Sequence, residues 1–264
     1  KEQGRLKEAQ ASLRQAITLK PDYAGAHNNL GVLLQELGRL EEAQVSYRKA
    51  ITLKPDYAKA HNNLGNILKD LGRLNEAEAS LRQAITLKPD LAEAHNNLGN
   101  ILKDLGRLNE AEESYRKSIV LKPDYAEAHN NLGVIMQELG KLEEAEASYT
   151  KAIALKPDYA GAHNNLGITL QKQGRLKETE VSYTKAITLK PDYAEAHNNL
   201  GGMLQGLGRL EEAELSYGKA ITLKPNYAEA HRNLTSIKKF DTQDEQYSKM
   251  QELYLDKNIS EEQR

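Results

Sequence analysis

The sequence predicts an all-α fold in which pairs of helices stack in a row. Seven prolines follow one another at intervals of 34 residues, from Pro21 to Pro225, and seven histidines keep the same interval, from His27 to His231. A fixed period of this length is typical of stacked repeat arrays. Apolar residues recur at helical spacing within each period. We therefore expect a row of helical units that share one elongated core.

One repeat, residues 58–91, shows why the unit is expected to be a pair of helices. The apolar stripe of its first helix, helix A, consists of Ala60, Leu64, Ile67, Leu68 and Leu71. Gly72 follows, where a left-handed C-terminal cap favours glycine. A second stripe, in helix B, runs from Leu74 to Leu87, and Pro89 prevents that helix from continuing. Neither stripe can be buried within one pair, so neighbouring pairs are expected to stack.

A glycine recurs inside helix A, where it costs about 1 kcal/mol relative to alanine. In the repeat 58–91 this residue is Gly65, and the small residues Ala77 and Ala84 lie in helix B. We expect the glycine to permit a close approach of the paired helix that a Cβ atom would block. The equivalent positions are Gly31, Gly99, Gly133, Gly167 and Gly201.

These residues resemble the pattern of the tetratricopeptide repeat (TPR) family, and the near-identical repeats resemble the bacterial type. The matching features are Leu64-Gly65, the helix-B alanines, Pro89 and a helix-B aromatic residue at Tyr47, Tyr115, Tyr149, Tyr183 and Tyr217, which is leucine at positions 13 and 81. The resemblance implies a right-handed superhelical solenoid of antiparallel helix pairs, a TPR array, whose helices A line a concave groove. Histidine stands where the family often has tryptophan.

The period also divides the chain. Residues 1–23 are interpreted as a truncated repeat, mainly its helix B. Six complete repeats are predicted at 24–57, 58–91, 92–125, 126–159, 160–193 and 194–227. Residues 228–264 are interpreted as a degenerate seventh repeat followed by a capping or transition helix. Because both ends fall inside helix-like sequence, we expect the chain to be a piece of a longer protein.

Composition and missing motifs argue against several classes of function. The chain has 36 basic and 38 acidic residues, a net charge of −2 and no cysteine. A near-neutral charge does not favour nucleic acid or an anionic membrane as partner, and no apolar run is long enough to span a bilayer. No phosphate-binding loop motif is present. We expect no catalytic residue, no metal, no cofactor, no nucleic-acid or membrane partner, and a cytoplasmic location.

Asparagines in the middle of helix A form the candidate binding site. Asparagine is a poor helix former, so its place there needs a reason. The second asparagine of each pair lies to one side of the apolar stripe, and the TPR resemblance places it in the groove, as a ladder that resembles that of the O-linked N-acetylglucosamine transferase arm. A carboxamide both donates and accepts, so a ladder can hold the backbone of an extended peptide. The predicted peptide-binding residues are Asn29, Asn63, Asn97, Asn131, Asn165, Asn199 and Asn233, with Lys59, Asn66 and Asn100 on the same side.

Two alternatives to peptide binding stay open for the asparagines. The repeats are nearly copies of one another, so a neutral feature of one ancestral unit would also recur. The asparagines could also hydrogen-bond the neighbouring repeat.

The histidines and the turn tyrosines are expected to be structural. Stacked helices lie about 8–10 Å apart, which is too far for adjacent repeats to share a metal through one imidazole each, so the histidines are expected to pack. The tyrosines before helix A are interpreted as turn residues that pack between repeats, at Tyr23, Tyr57, Tyr125, Tyr159, Tyr193 and Tyr227.

The leading functional prediction is a protein–protein interaction module that binds an extended peptide or protein segment through the asparagine ladder. A second hypothesis is the substrate-recognition arm of a larger transferase, either sulfotransferase-like or a glycosyltransferase. It rests on a tail whose segments Ser236–Phe240 and Ser260–Arg264 resemble the sequence before a sulfotransferase-like domain in some bacterial proteins. A third is a self-assembling scaffold, a homo-oligomer formed through exposed repeat ends, with Leu13, Ala16 and Ile17 on the first apolar face.

Overall fold

Residues 2–237 and residue 249 are described by the structure, a computed structural model in which residues 2–237 form helices joined by short turns. The helices are α1 (Glu2–Leu19), α2 (Ala24–Glu36), α3 (Leu40–Leu53), α4 (Ala58–Asp70), α5 (Leu74–Leu87), α6 (Ala92–Asp104), α7 (Leu108–Leu121), α8 (Ala126–Glu138), α9 (Leu142–Leu155), α10 (Ala160–Lys172), α11 (Leu176–Leu189), α12 (Ala194–Gly206), α13 (Leu210–Leu223) and α14 (Ala228–Ile237). None of these described helices combines the length and the hydropathy needed to cross a membrane. The predicted tail beyond Ile237, including the segment Ser260–Arg264, lies outside the described residues.

The chain divides into two compact units, Lys1–Ile135 and Met136–Arg264. In the first unit α2 packs against α3, α4 against α5, and α6 against α7. In the second, α10 packs against α11 and α12 against α13. Each pair consists of one even-numbered helix A and the odd-numbered helix B that follows it. The predicted unit of two antiparallel helices is therefore confirmed.

The two kinds of helix form separate layers within each unit. Consecutive helices A contact one another, α2 with α4 and α4 with α6 in the first unit, and α10 with α12 and α12 with α14 in the second. Within each unit, consecutive helices B have no comparable contacts. The helices A therefore form the shorter, inner layer of each unit. This inner layer carries the asparagine pairs.

Glycine ends helix A in the left-handed conformation, as the sequence predicted. Gly72 has φ 73° and the Arg73 amide donates to the Leu68 carbonyl at 2.8 Å, which satisfies a carbonyl at the end of α4. The same conformation, with φ between 71° and 76°, recurs at Gly38, Gly106, Gly140, Gly174 and Gly208. A side chain at these positions would be strained by the backbone alone. Each glycine thus fixes the tight turn into helix B.

The glycine within helix A makes room for a side chain of helix B. A Cβ atom added to Gly99 would lie 2.6 Å from Cε1 of Tyr115, a residue that is fully buried. A Cβ atom on Gly65 would lie 2.6 Å from Cγ of Leu81, so leucine fills the same space where it replaces tyrosine. The predicted close approach is confirmed. Its partner is the large helix-B side chain.

Arginine forks connect consecutive helices B on the other face. Arg107, just before α7, donates to Glu110 of that helix at 2.6 and 2.7 Å and to Glu78 of α5 at 2.8 and 2.9 Å. These hydrogen bonds hold the pKa of the Glu110 carboxyl below its ordinary value. Because Arg107 and Glu110 are 38% and 49% exposed, the pair within the repeat contributes little to stability. Equivalent forks in the second unit centre on Arg175 and Arg209.

Candidate functional site

The two asparagines of each helix-A pair occupy different environments. The first is buried, with 2–9% of its surface exposed, at Asn28, Asn62, Asn96, Asn130, Asn164 and Asn198. The second is exposed at Asn29 and partly exposed in later repeats. The sequence prediction concentrated on the second asparagine and missed the role of the first. The sequence feature that could have indicated its burial is a pair of small residues, each about one helical turn away. In repeat 58–91 these are Ala58 and Gly65, on either side of Asn62.

Hydrogen bonds between carboxamides connect neighbouring repeats through both members of a pair. In the first unit, Asn63 Nδ2 donates to Asn28 Oδ1 at 3.1 Å and Asn97 Nδ2 donates to Asn62 Oδ1 at 2.9 Å. In the second unit, the same bond joins Asn199 to Asn164 at 3.0 Å and Asn233 to Asn198 at 3.1 Å. In these four bonds the exposed asparagine is the donor and the buried one is the acceptor. The asparagines therefore have a structural role, the alternative that the sequence left open.

A weaker bond closes the connection within some of the pairs. Asn62 Nδ2 donates to Asn63 Oδ1 at 3.3 Å, and Asn28 Nδ2 donates to Asn29 Oδ1 at 3.4 Å. Both distances are longer than a typical N–H···O hydrogen bond. Asn63 has both kinds of bond, so its carboxamide is held at its nitrogen and at its oxygen. Contacts within the array therefore orient this carboxamide.

Asn131 donates to two carboxamide oxygens of the preceding repeat. Its Nδ2 donates to Asn96 Oδ1 at 3.1 Å and to Asn100 Oδ1 at 3.2 Å. The Tyr115 hydroxyl also donates to Asn100 Oδ1, at 2.7 Å. The structure therefore brings together two predicted site residues, Asn100 and Asn131. The carboxamide of Asn100 is oriented because its oxygen accepts from two donors. Three further predicted site residues lie elsewhere: Asn66 is partly buried and Lys59 exposed on α4, and Asn165 is partly exposed on α10.

Each of the seven histidines bonds the turn that precedes its own helix. The ring Nε2 lies 2.9–3.2 Å from the carbonyl oxygen of the proline six residues earlier, as in His61 with Pro55 and His163 with Pro157. Since the carbonyl can only accept, Nε2 carries the proton. Among the described residues, no group of three or more His, Cys, Asp or Glu side chains is arranged to hold a metal. The histidines thus have the structural role expected from the sequence.

Stability is expected to fall as the pH drops below about 6.5. Burial lowers the pKa of His163 and of His197 from the ordinary value of 6.5, although the hydrogen bond to the proline carbonyl opposes this in both cases. The unfolded chain therefore binds protons at a higher pH than the folded chain, and stability is lost between 6.5 and the lower folded pKa values. The measurement is urea denaturation at pH 7.5 and 5.5.

A double variant, His163→Gln with His197→Gln, serves as the control for this pH effect. Glutamine does not titrate, so the loss of stability between the two pH values should be smaller than in the unaltered chain. Glu178 and Glu212 do not interfere, because their arginine hydrogen bonds lower their pKa values below the ordinary 4.5. An unaltered chain that is equally stable at both pH values would contradict the prediction.

The tyrosines that precede helix A pair with a lysine of the same turn. The ammonium nitrogen lies 4.7–5.8 Å from the ring centre in the pairs Lys20–Tyr23, Lys54–Tyr57, Lys122–Tyr125, Lys156–Tyr159, Lys190–Tyr193 and Lys224–Tyr227. In the second unit, burial raises the pKa of Tyr227.

Family profiles match the chain from residue 1 to residue 227. Matches described as "TPR repeat" cover residues 1–38, 36–72, 65–106, 99–140 and 138–174. Matches described as "Tetratricopeptide repeat" cover residues 160–193 and 194–227. The chain therefore belongs to the tetratricopeptide repeat family, and the predicted fold class, an all-α superhelical TPR array, is confirmed. The comparison with curated proteins gave no match.

Solved structures show the same fold. A chain of the APC/C hetero-tetramer Cut9–Hcn1 superimposes with a TM-score of 0.81 at 18% identity, covering 90% of this chain and 47% of that one. The chain thus spans about half the length of that relative. MamA gives a TM-score of 0.56 at 28% identity, covering 62% of this chain and 96% of MamA. YrrB, described as "a TPR protein with an unusual peptide-binding site", gives 0.54 at 24% identity, covering 70% of this chain and 95% of YrrB. The TPR fold supports a role in protein interaction or scaffolding.

Proposed function

We propose that the helix-A layer binds an extended peptide or protein segment through its asparagine ladder. The observation that carries this proposal is the number of hydrogen bonds that the ladder carboxamides donate within the array. Among the described contacts, Asn63, Asn97, Asn199 and Asn233 each donate one hydrogen bond within the array. A carboxamide has two N–H donors, so the second one remains for a ligand.

Preorganisation is the physical benefit of this arrangement. A flexible side chain loses rotamer entropy when it binds, and an interface has to offset that loss. Here the bond to the preceding repeat already holds the carboxamides of Asn63, Asn97, Asn199 and Asn233. The ladder residues can therefore contact a peptide backbone with little further ordering. Binding through backbone groups also tolerates many side-chain sequences in the partner.

The test compares two double variants that delete the same two hydrogen bonds. Asn63→Ala with Asn97→Ala removes the exposed donors, whereas Asn28→Ala with Asn62→Ala removes the buried acceptors. Only the first variant lacks the carboxamides that reach the ligand. At about 1 kcal/mol for each lost hydrogen bond, we expect it to bind roughly thirtyfold more weakly. The probe is a labelled peptide selected from an array of extended peptides, measured by fluorescence anisotropy.

The second double variant controls for damage to the array. It should lose a similar or larger amount of stability, because burial leaves little room for water to replace the missing partner. Its affinity for the peptide should fall much less. Equal losses of affinity in the two variants would show that the asparagines act only through stability, and the proposal would then be wrong.

The two other hypotheses stay predictions. The transferase arm rests on tail sequence that continues beyond the described residues. Self-assembly rests on α1, where Leu13, Ala16 and Ile17 are only partly buried, whereas their equivalents Leu81 and Ala84 in α5 are fully buried. Light scattering over a concentration series distinguishes self-assembly, because a strict monomer contradicts it. The expected cytoplasmic location likewise stays a prediction.

A further inference from the structure

Asn66 and Asn100 occupy equivalent positions in two helices of almost identical sequence. Helices α4 and α6 differ at one position, where α4 has lysine and α6 has glutamate. The surroundings of the two asparagines differ nevertheless, because the following helix B contributes Leu81 beside α4 and Tyr115 beside α6. The two repeats therefore show the same side chain with and without a neighbouring tyrosine hydroxyl.

In α6 the asparagine has a structural role. Three tyrosines of helix B donate from the hydroxyl to a glutamine of helix A, in the pairs Tyr47–Gln35, Tyr183–Gln171 and Tyr217–Gln205. In α6 this glutamine is replaced by Lys103, and the Tyr115 hydroxyl donates instead to Asn100 Oδ1 at 2.7 Å. Asn131 Nδ2 donates to the same oxygen at 3.2 Å. Asn100 is therefore used as an acceptor within the array.

In α4 the equivalent asparagine has no such role. Leu81 has no hydroxyl group, and Asn97 donates to Asn62 at 2.9 Å. Among the described residues, none makes a hydrogen bond with the side chain of Asn66. This side chain is partly buried, but neither of its polar atoms is buried without a partner, so both reach solvent. An unused carboxamide, with two N–H donors and an acceptor oxygen, therefore lies in the helix-A layer.

The oxygen of Asn66 complements the ladder. Asn66 follows Asn63 by three residues, so the two side chains are neighbours on the surface of α4. The oxygen of Asn63 already accepts from Asn62 at 3.3 Å, whereas one of its two N–H groups is not used in the array. A peptide backbone presents N–H groups as well as carbonyls, and an N–H that loses water without gaining an acceptor weakens binding. Asn66 can supply that acceptor.

We propose that Asn66 accepts a hydrogen bond from a backbone N–H of the bound peptide, while Asn63 beside it donates to a backbone carbonyl. The inference rests on the proposed function, peptide binding by the ladder, and adds a residue that determines specificity. The ligand residue that faces Asn66 must carry a backbone N–H. Proline lacks this group, so the partner is a segment with a fixed position from which proline is excluded.

The test replaces the backbone N–H groups of a bound peptide one at a time. The labelled peptide selected from the array is synthesised as a series in which each member carries one N-methyl group. We expect one position at which methylation weakens binding to the unaltered chain about fivefold, measured by fluorescence anisotropy. Asn66→Val should weaken binding of the unmethylated peptide by a similar factor, and methylation at that position should then have little further effect. Asn66→Asp keeps an acceptor oxygen and should restore the sensitivity to methylation.

Asn100→Val, the same substitution in α6, is the matched control. Valine and asparagine have similar helix propensities. Asn66→Val removes no hydrogen bond between described residues, so its stability in urea should equal that of the unaltered chain. Asn100→Val leaves the Tyr115 hydroxyl without its acceptor and should be less stable. Its ratio of affinities for the methylated and unmethylated peptides should stay that of the unaltered chain.

Leu81→Tyr tests the same contact without altering Asn66. Gly65 leaves room for the side chain at position 81, as Gly99 does for Tyr115. The introduced hydroxyl should draw the oxygen of Asn66 towards helix B, as it does for Asn100 in α6. We therefore expect the effect of methylation to become smaller while the carboxamide itself is retained.

Contrary outcomes separate this inference from the proposed function. If the peptide binds in a manner that depends on Asn63 and Asn97, but no methylated position is coupled to Asn66, the inference is overturned and the proposed function stands. Equal coupling at Asn66 and Asn100 overturns it as well, because the unused carboxamide would then have no special part. If no peptide shows ladder-dependent binding, both proposals are wrong.

Discussion

Replacing Tyr47 with alanine is expected to lower the free energy of unfolding by about 3–5 kcal/mol. The side chain belongs to α3, has no exposed surface and packs against the glycine of α2. Its hydroxyl donates to Gln35 Oε1 at 3.3 Å. Burial also raises the pKa of its hydroxyl. Alanine would leave a cavity at the contact that joins the two helices of the repeat. Urea denaturation followed by circular dichroism measures the change.

The matched control is Tyr23→Ala, which affects the tyrosine immediately before the same repeat. Tyr23 is 51% exposed, and its lysine partner lies 5.8 Å from the ring centre. An exposed cation–π pair contributes about 0.5–1 kcal/mol, so the expected loss is no more than about 1 kcal/mol. If both variants lost the same amount, the helix-B tyrosine would not be the main contact within the pair.

Gly99→Ala is expected to destabilise the chain even though alanine is the better helix former. A Cβ atom at this position would lie 2.6 Å from the ring of Tyr115, which is buried. Overpacking of this kind typically costs about 1–3 kcal/mol, whereas the gain in helix propensity is about 1 kcal/mol. The net result should be a loss of stability, measured by urea denaturation.

Gly218→Ala, the same substitution at another position, is expected to stabilise the chain. Gly218 lies within α13, and a Cβ atom there would meet no other atom within 4 Å. The helix propensity of alanine should therefore act alone and stabilise the chain by up to about 1 kcal/mol. If both substitutions stabilised the chain, helix propensity and not the contact with Tyr115 would determine the effect at Gly99.

Local chemistry explains why the helix pairs could be predicted from the sequence. Gly72 ends α4 because only glycine takes a positive φ without strain. Pro89 stops α5 because it lacks an N–H group and restricts the residue before it. Both effects act within a few residues, and near-identical repeats show them many times. The helix boundaries therefore follow from sequence spacing alone.

The hydrogen bonds between repeats could not be predicted from local sequence chemistry. The bond from Asn97 to Asn62 and the fork from Arg107 to Glu78 join residues that are far apart in sequence. Their existence depends on the distance and the rotation between stacked pairs, which the period does not specify. The position of the second asparagine beside the apolar stripe could be predicted from helical geometry. That the buried first asparagine would be its acceptor could not.

Within each unit, the alternation of acceptor and donor makes a repeat interchangeable with its neighbours. The buried asparagine of α4 accepts from α6, and the exposed asparagine of α4 donates to α2. A duplicated repeat inserted between them would find a donor on one side and an acceptor on the other. Unequal recombination could therefore lengthen or shorten such an array without leaving a carboxamide unpaired. The length of the helix-A layer is then an inherited property that changes in whole repeats.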